Sequence, residues 1–144
     1  MEVKIKLLND KANMPTRGSE KAAGYDLYAC TSSQIIIAPH DTVKISTGIS
    51  MEIPDGYFGG VFARSGLATE QGLRPSNCCG VIDSDYRGDV IVALHNDTNM
   101  PQTIQPMERV AQLIIMPYLP VEFEEVDTLS DTDRGDKGFG STGK

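Results

Sequence analysis

The chain has 144 residues, with 13 Lys and Arg against 20 Asp and Glu for a net charge of -7, 40% hydrophobic residues, 14 Gly, 8 Pro and no Trp. That length suits one domain with a sizeable core, and no apolar run approaches the roughly 20 residues that span a bilayer. The acidic balance works against a nucleic-acid polymer as partner, which needs a basic surface to displace counterions, but leaves room for a small anion held by a local cluster drawn from Arg64, Arg87, Arg109, Arg134 and Lys137.

The N-terminus, Met1 to Lys6, alternates charged and apolar residues and lacks the apolar core of a signal peptide. A cytoplasmic protein with no membrane partner is the expectation. Three cysteines agree with that: Cys78 and Cys79 are neighbours in a predicted strand, with side chains on opposite faces, and Cys30 is left over. Two histidines and no Cys-x-x-Cys make a structural zinc site a poor reading.

Short strands recur along the chain. Val3–Leu7 alternates with period two; Ile35–Ile37 stops at Pro39 and Val43–Thr47 at Gly48. Met51–Ile53 ends at Pro54-Asp55-Gly56, Tyr57–Phe62 follows, Val90–Leu94 ends at Asn96-Asp97, and Val110–Met116 ends at Pro117. Strands of this length and spacing indicate an all-β sandwich, jelly roll or barrel. One short helix is expected at Leu67–Gln71, closed by Gly72. From Glu122 the chain turns acidic, and four glycines in the last ten residues with one aromatic, Phe139, leave too little apolar surface to fold unaided. Residues 1–133 are therefore read as the β domain and 134–144 as a flexible Gly-rich arm.

The stretch around which the chain is organised is Ser76 to Val92. An apolar step, Val81-Ile82, enters a polar tip, and Val90-Ile91-Val92 leaves it, which reads as a β-hairpin with a longer loop. Asp83 at its mouth, Tyr86 beside it and a free backbone edge nearby can grip a small planar ligand and do chemistry at its rim.

Four further stretches accompany it: Ala23-Gly24-Tyr25-Asp26-Leu27-Tyr28-Ala29, Ala63-Arg64-Ser65-Gly66-Leu67-Ala68, Glu108-Arg109-Val110-Ala111-Gln112-Leu113-Ile114, and the tail Arg134-Gly135-Asp136-Lys137-Gly138-Phe139-Gly140-Ser141-Thr142-Gly143-Lys144. Read singly, the first is an ordinary strand start and the third an alternating strand with charged outward positions. In the second, Ser65 and Gly66 open the expected helix, where free N–H groups favour an anion. Taken in order, the five resemble the signature motifs of the trimeric dUTPases.

That resemblance implies a distorted jelly-roll β-barrel, a homotrimer with active sites at subunit interfaces, and Mg2+-dependent hydrolysis of dUTP to dUMP and pyrophosphate. Such a reaction keeps uracil out of DNA and supplies dUMP for dTMP synthesis. It implies Asp83 as the catalytic carboxylate that orders and deprotonates a water. The uracil would be read by Asn77 and the backbone of Gly80, Val81 and Ile82, with Ile91 alongside, and Tyr86 would lie under the deoxyribose. Arg64, Ser65, Gly66 and Gln112 would hold phosphates, with Arg109 nearby, and Asp26 would touch the magnesium through its water shell. Arg134 would meet the distal phosphate, Phe139 would stack on the uracil, and Gly140, Ser141 and Thr142 would wrap the phosphates. Asp85 is a turn residue on this reading. Two departures stand out: Ala63 where proline is frequent, and Lys137 where a second glycine is common.

Competing readings are a dCTP deaminase on the same fold, for which the Glu-centred motif is missing, and a regulatory protein with a further partner. Arg-Gly-Asp occurs at residues 87–89 and 134–136, which would suit an adhesion ligand, but both copies fall inside the motifs above.

Overall fold

The structure is a computed structural model and describes residues 1–139. Its elements in chain order are β1 (Lys4–Leu7), β2 (Tyr25–Tyr28), β3 (Ile35–Ile37), β4 (Thr42–Ser46), β5 (Ile49–Glu52) and β6 (Tyr57–Phe62). There follow α1 (Ser65–Glu70), β7 (Leu73–Pro75), β8 (Cys79–Ile82), β9 (Ile91–Asn96), β10 (Gln102–Ile104) and β11 (Arg109–Pro117). The described part is thus nearly all β with one short helix, as the strand spacing predicts. The helix starts two residues and ends one residue earlier than expected, and Gly72 follows its cap with a φ of +65° that an L side chain adopts only with strain.

All pairings are antiparallel. One sheet has the order β2-β11-β6-β8 and another β4-β9-β7, while β1 pairs with β5 and β10 with β3. Their inner faces meet in one core, in which Leu27, Ile37, Ile45, Leu73, Leu94 and Val110 are fully buried. Each such side chain stabilises the fold by about 1.5–3 kcal/mol.

Asn96 is the one amide in this core. Its Nδ2 donates to the carbonyls of Ile37 (3.0 Å), Ala38 (3.2 Å) and Met100 (2.8 Å), and its Oδ1 accepts from Thr98 N and Oγ1 (2.9 and 2.8 Å). It ties the end of β9 to the end of β3, so the two sheets are joined by polar as well as apolar contact.

The organising stretch is not a hairpin of two paired strands. β8 pairs with β6, and β9 pairs with β4 and β7 in the other sheet. The apolar run on each side of the polar tip satisfies a different sheet, so the two strands splay and residues 83–90 cross between them. The neighbouring cysteines also need correcting. Cys79 opens β8, but Cys78 lies before it with φ +62°, in a tight turn where Cys79 N donates to Asn77 O at 2.6 Å and Cys78 N to Pro75 O at 3.0 Å.

Candidate functional site

Splaying leaves β8 as a sheet edge, with alternate peptide groups turned away from β6 and available to a ligand. Val81, Ile82, Asp83, Tyr86, Asp89 and Ile91 line a cleft of about 170 Å³ there. Val81, Tyr86 and Ile91 are large apolar side chains left exposed in it, which suits a flat, partly apolar ligand. Asp83 N-terminates a β-turn: Tyr86 N donates to its carbonyl at 3.2 Å, with Ser84 and Asp85 at the tip. Its carboxylate is exposed and makes no hydrogen bond or ion pair among the described residues. Asn77 stands over Gly80, its Nδ2 3.5 Å from where a Cβ on that glycine would lie. Apart from Phe139, the residues that the sequence assigns to the base and sugar therefore lie along one edge.

A second cleft of about 340 Å³ gathers the cationic motifs: Asp26, Arg64, Ser65, Gly66, Arg109 and Gln112 line it. Asp26, on β2, accepts from Arg64 Nε at 2.8 Å and faces Arg109 Nη1 at 3.3 Å. One carboxylate thus holds two guanidinium groups close together and leaves a net positive charge. The first turn of α1, whose Ser65 and Gly66 line the same cleft, has no side-chain cap for its first N–H groups. Gln112 Nε2 donates to Ala63 O at 2.8 Å, and a Cβ on Gly24 would sit 2.4 Å from its Oε1, so only glycine leaves room for that side chain.

Simple alternation puts Arg109 and Gln112, three apart, on opposite faces of β11. The register shows how they meet: Arg109 pairs with Tyr28 and Ala111 with Leu27, so Val110 is an extra residue, a β-bulge. Val110 and Ala111 are both buried, and Arg109 and Gln112 emerge together. The signal in the sequence is Val110-Ala111, two apolar residues in succession where strict alternation expects one.

The two clefts share no lining residue. Asp26, Gln112, Phe62 and Cys79 lie in one row across the sheet, and Asp83 is four residues beyond Cys79. Three strand spacings across and four residues along amount to roughly 14 and 13 Å, or about 19 Å in all. A single chain does not bring Asp83 to the arginines.

No tail residue lines either cleft among those described. Arg134 Nε donates to Lys137 O at 3.0 Å, and Phe139 is fully exposed. Gly140, Ser141 and Thr142 lie outside the described residues.

The dUTPase family model matches residues 10–143. The chain belongs to the dUTPase family. Among its relatives, the deoxyuridine 5'-triphosphate nucleotidohydrolase of Nautilia profundicola is 45% identical over 144 residues, covering 100% of both chains. That of Anaplasma marginale is 43% identical over 130 residues, 90% of this chain and 88% of its own. Of solved structures, the dUTPase of Staphylococcus bacteriophage 80alpha with dUPNHPP superposes with a TM-score of 0.91 at 29% identity, covering 99% of each chain. The match spans the stretches that line both clefts.

Proposed function

We propose that the protein hydrolyses dUTP to dUMP and pyrophosphate, in a site assembled from the β8 edge of one copy and the arginine cleft of another. The separation of about 19 Å between Asp83 and Asp26 carries the second half of this reading. A nucleotide whose α-phosphorus stands at Asp83 has its β- and γ-groups only two P–O–P links further on, too short a reach for the arginines of the same chain. A jelly-roll barrel in a homotrimer, with the arm of residues 134–144 closing over the nucleotide, meets the requirement and accords with the family.

Uracil is read on the β8 edge by the backbone of Gly80, Val81 and Ile82 and by Asn77. Cytosine would oppose a donor with a donor and leave buried groups unpaired, a mismatch costing on the order of 10⁴-fold. Tyr86 lies against the deoxyribose face, where a 2′-hydroxyl would have no space. Asp83 accepts a proton from water as its oxygen bonds to the α-phosphorus in line, and the bond from that phosphorus to the bridging oxygen breaks. Pyrophosphate carries off the electron pair; Arg64, Arg134, Gln112 and the first N–H groups of α1 stabilise the charge it gains. Phe139 stacks on the base and Gly140, Ser141 and Thr142 close over the phosphates.

Among the described residues no three His, Cys, Asp or Glu converge on a possible metal position. Asp26 is a single carboxylate already gripped by two arginines. That donor set fits a magnesium ion held chiefly by the substrate's phosphate oxygens and met by Asp26 through water. When bound, the ion neutralises charge on the phosphates.

Pyrophosphate release from the four deoxynucleoside triphosphates and UTP tests the reading. Release from dUTP alone is expected; equal rates on dCTP or UTP, or ammonia from dCTP, would overturn it. An adhesion role for Arg87-Gly88-Asp89 is disfavoured by the Asp89 carboxylate, which accepts from Ser46 Oγ and Gly48 N and is not offered to a partner.

A further inference from the structure

The loop that carries Tyr86 is fastened to one place, the turn between β4 and β5. Ser50 Oγ donates to Arg87 O at 2.6 Å, Thr47 N and Oγ1 donate to Val90 O at 3.1 and 2.6 Å, and Val90 N donates to Ile49 O at 2.9 Å. The Asp89 carboxylate accepts a short bond from Ser46 Oγ and another from Gly48 N at 3.0 Å.

These bonds fix the peptide between Asp89 and Val90. In a trans peptide the C=O and N–H point in opposite directions. With Val90 N–H directed at Ile49 O, the Asp89 carbonyl must face the other way, and it accepts from the Tyr86 hydroxyl at 3.0 Å. The hydroxyl end of the ring is thereby drawn over Gly88, so closely that a Cβ there would lie 2.5 Å from Tyr86 Cζ. Tyr86 is otherwise an exposed side chain, and without this anchor nothing sets its tilt.

We propose that Asp89, clamped by the β4–β5 turn, is a positioning residue for sugar selection that acts through Tyr86. This rests on Tyr86 lying against the deoxyribose, as argued above. A ring free to tilt admits a 2′-hydroxyl, so UTP gains on dUTP.

The test is the ratio of kcat/KM for dUTP to that for UTP in the full-length enzyme and in Asp89→Ala, Tyr86→Phe and the double variant. A partly unfolded variant loses both activities in proportion, so the ratio does not report stability. Asp89→Ala removes the two carboxylate bonds and Tyr86→Phe the hydroxyl bond, and each should lower the ratio about tenfold. The double variant should be no worse than the worse single, because both cut the same chain of contacts. A ratio unchanged in Asp89→Ala, or losses that multiply in the double variant, would overturn the proposal. If Asp89→Ala does not fold, Ser46→Ala, which removes one of the two carboxylate bonds, replaces it under the same criteria. A parent enzyme that does not prefer dUTP would instead sink the reading of Tyr86.

Discussion

Asp83 stands at the end of β8 with its carboxylate exposed and without a partner among the described residues, so replacing it leaves nothing stranded. Asp83→Asn should keep thermal stability and affinity for a non-hydrolysable dUTP analogue, yet lose roughly 10²–10⁴-fold in turnover, since a carboxamide cannot take the water's proton. Calorimetric binding together with pyrophosphate release checks both halves; near-parent turnover would remove Asp83 from the mechanism. Gly88 offers a complementary probe. Gly88→Ala should push the Tyr86 ring off its seat, because the new methyl would meet it at 2.3–2.5 Å, and should raise KM for dUTP several-fold with little change in melting temperature. At this scale the sequence was most legible, because motifs name side chains directly: Asn77, Asp83 and Tyr86 do share one cleft edge, and Asp26, Arg64 and Gln112 another. What could not be read was which neighbour each side chain leans on. The grip of Asp26 on two arginines and the seat of Tyr86 over Gly88 depend on register, which no single residue type encodes.

The elements carry their own tests. Asn96 is fully buried and satisfies five polar atoms, so Asn96→Ala leaves several of them unpaired and should destabilise the fold by roughly 1–3 kcal/mol or more, measured by urea unfolding. On the surface of β7 and β9, Arg74 Nε and Nη2 clasp Asp97 at 2.6 and 3.0 Å. The Arg74 guanidinium beside it holds the Asp97 carboxyl below the usual carboxylate range. A carboxyl lowered in the folded state contributes stability that is complete above its unfolded pKa and is lost as pH falls through the folded one. Asp97→Asn should therefore differ from the parent at pH 7, and the difference should shrink as pH falls below about 4, as melting temperatures across that range will show. Most strand positions were legible to within a residue or two from alternation and turn residues, but β7 and β10, three residues each, are too short to show alternation and were not expected. Pairing was not: Val81-Ile82 and Val90-Ile91-Val92 look like two arms of a hairpin, and only the competition of two sheets for them explains why they part. The bulge at Val110 likewise escapes any reading that assumes strict alternation.

At the scale of the whole molecule, the fold supplies two separate clefts, one at the β8 edge and one at the β2 side of the same sheet, and the described residues of the tail line neither. Removing residues 134–144 should leave the melting temperature nearly unchanged, since Phe139 buries nothing in the domain, while turnover falls about 10³-fold with the loss of an arginine from the transferring phosphates. Nothing in composition or spacing announces a divided site; the proposal of one rests on the strands counted between Asp26 and Asp83 and on the family resemblance. The most direct measurement mixes two inactive proteins. Asp83→Asn chains retain the arginine cleft and Arg64→Ala chains retain the β8 edge, so co-refolded assemblies contain interfaces with both halves intact. In random equal mixtures such interfaces make up one half times one half, so about a quarter of parent dUTP turnover should return. No recovery at any mixing ratio, in assemblies shown by mass to contain both chains, would contradict a site shared between copies.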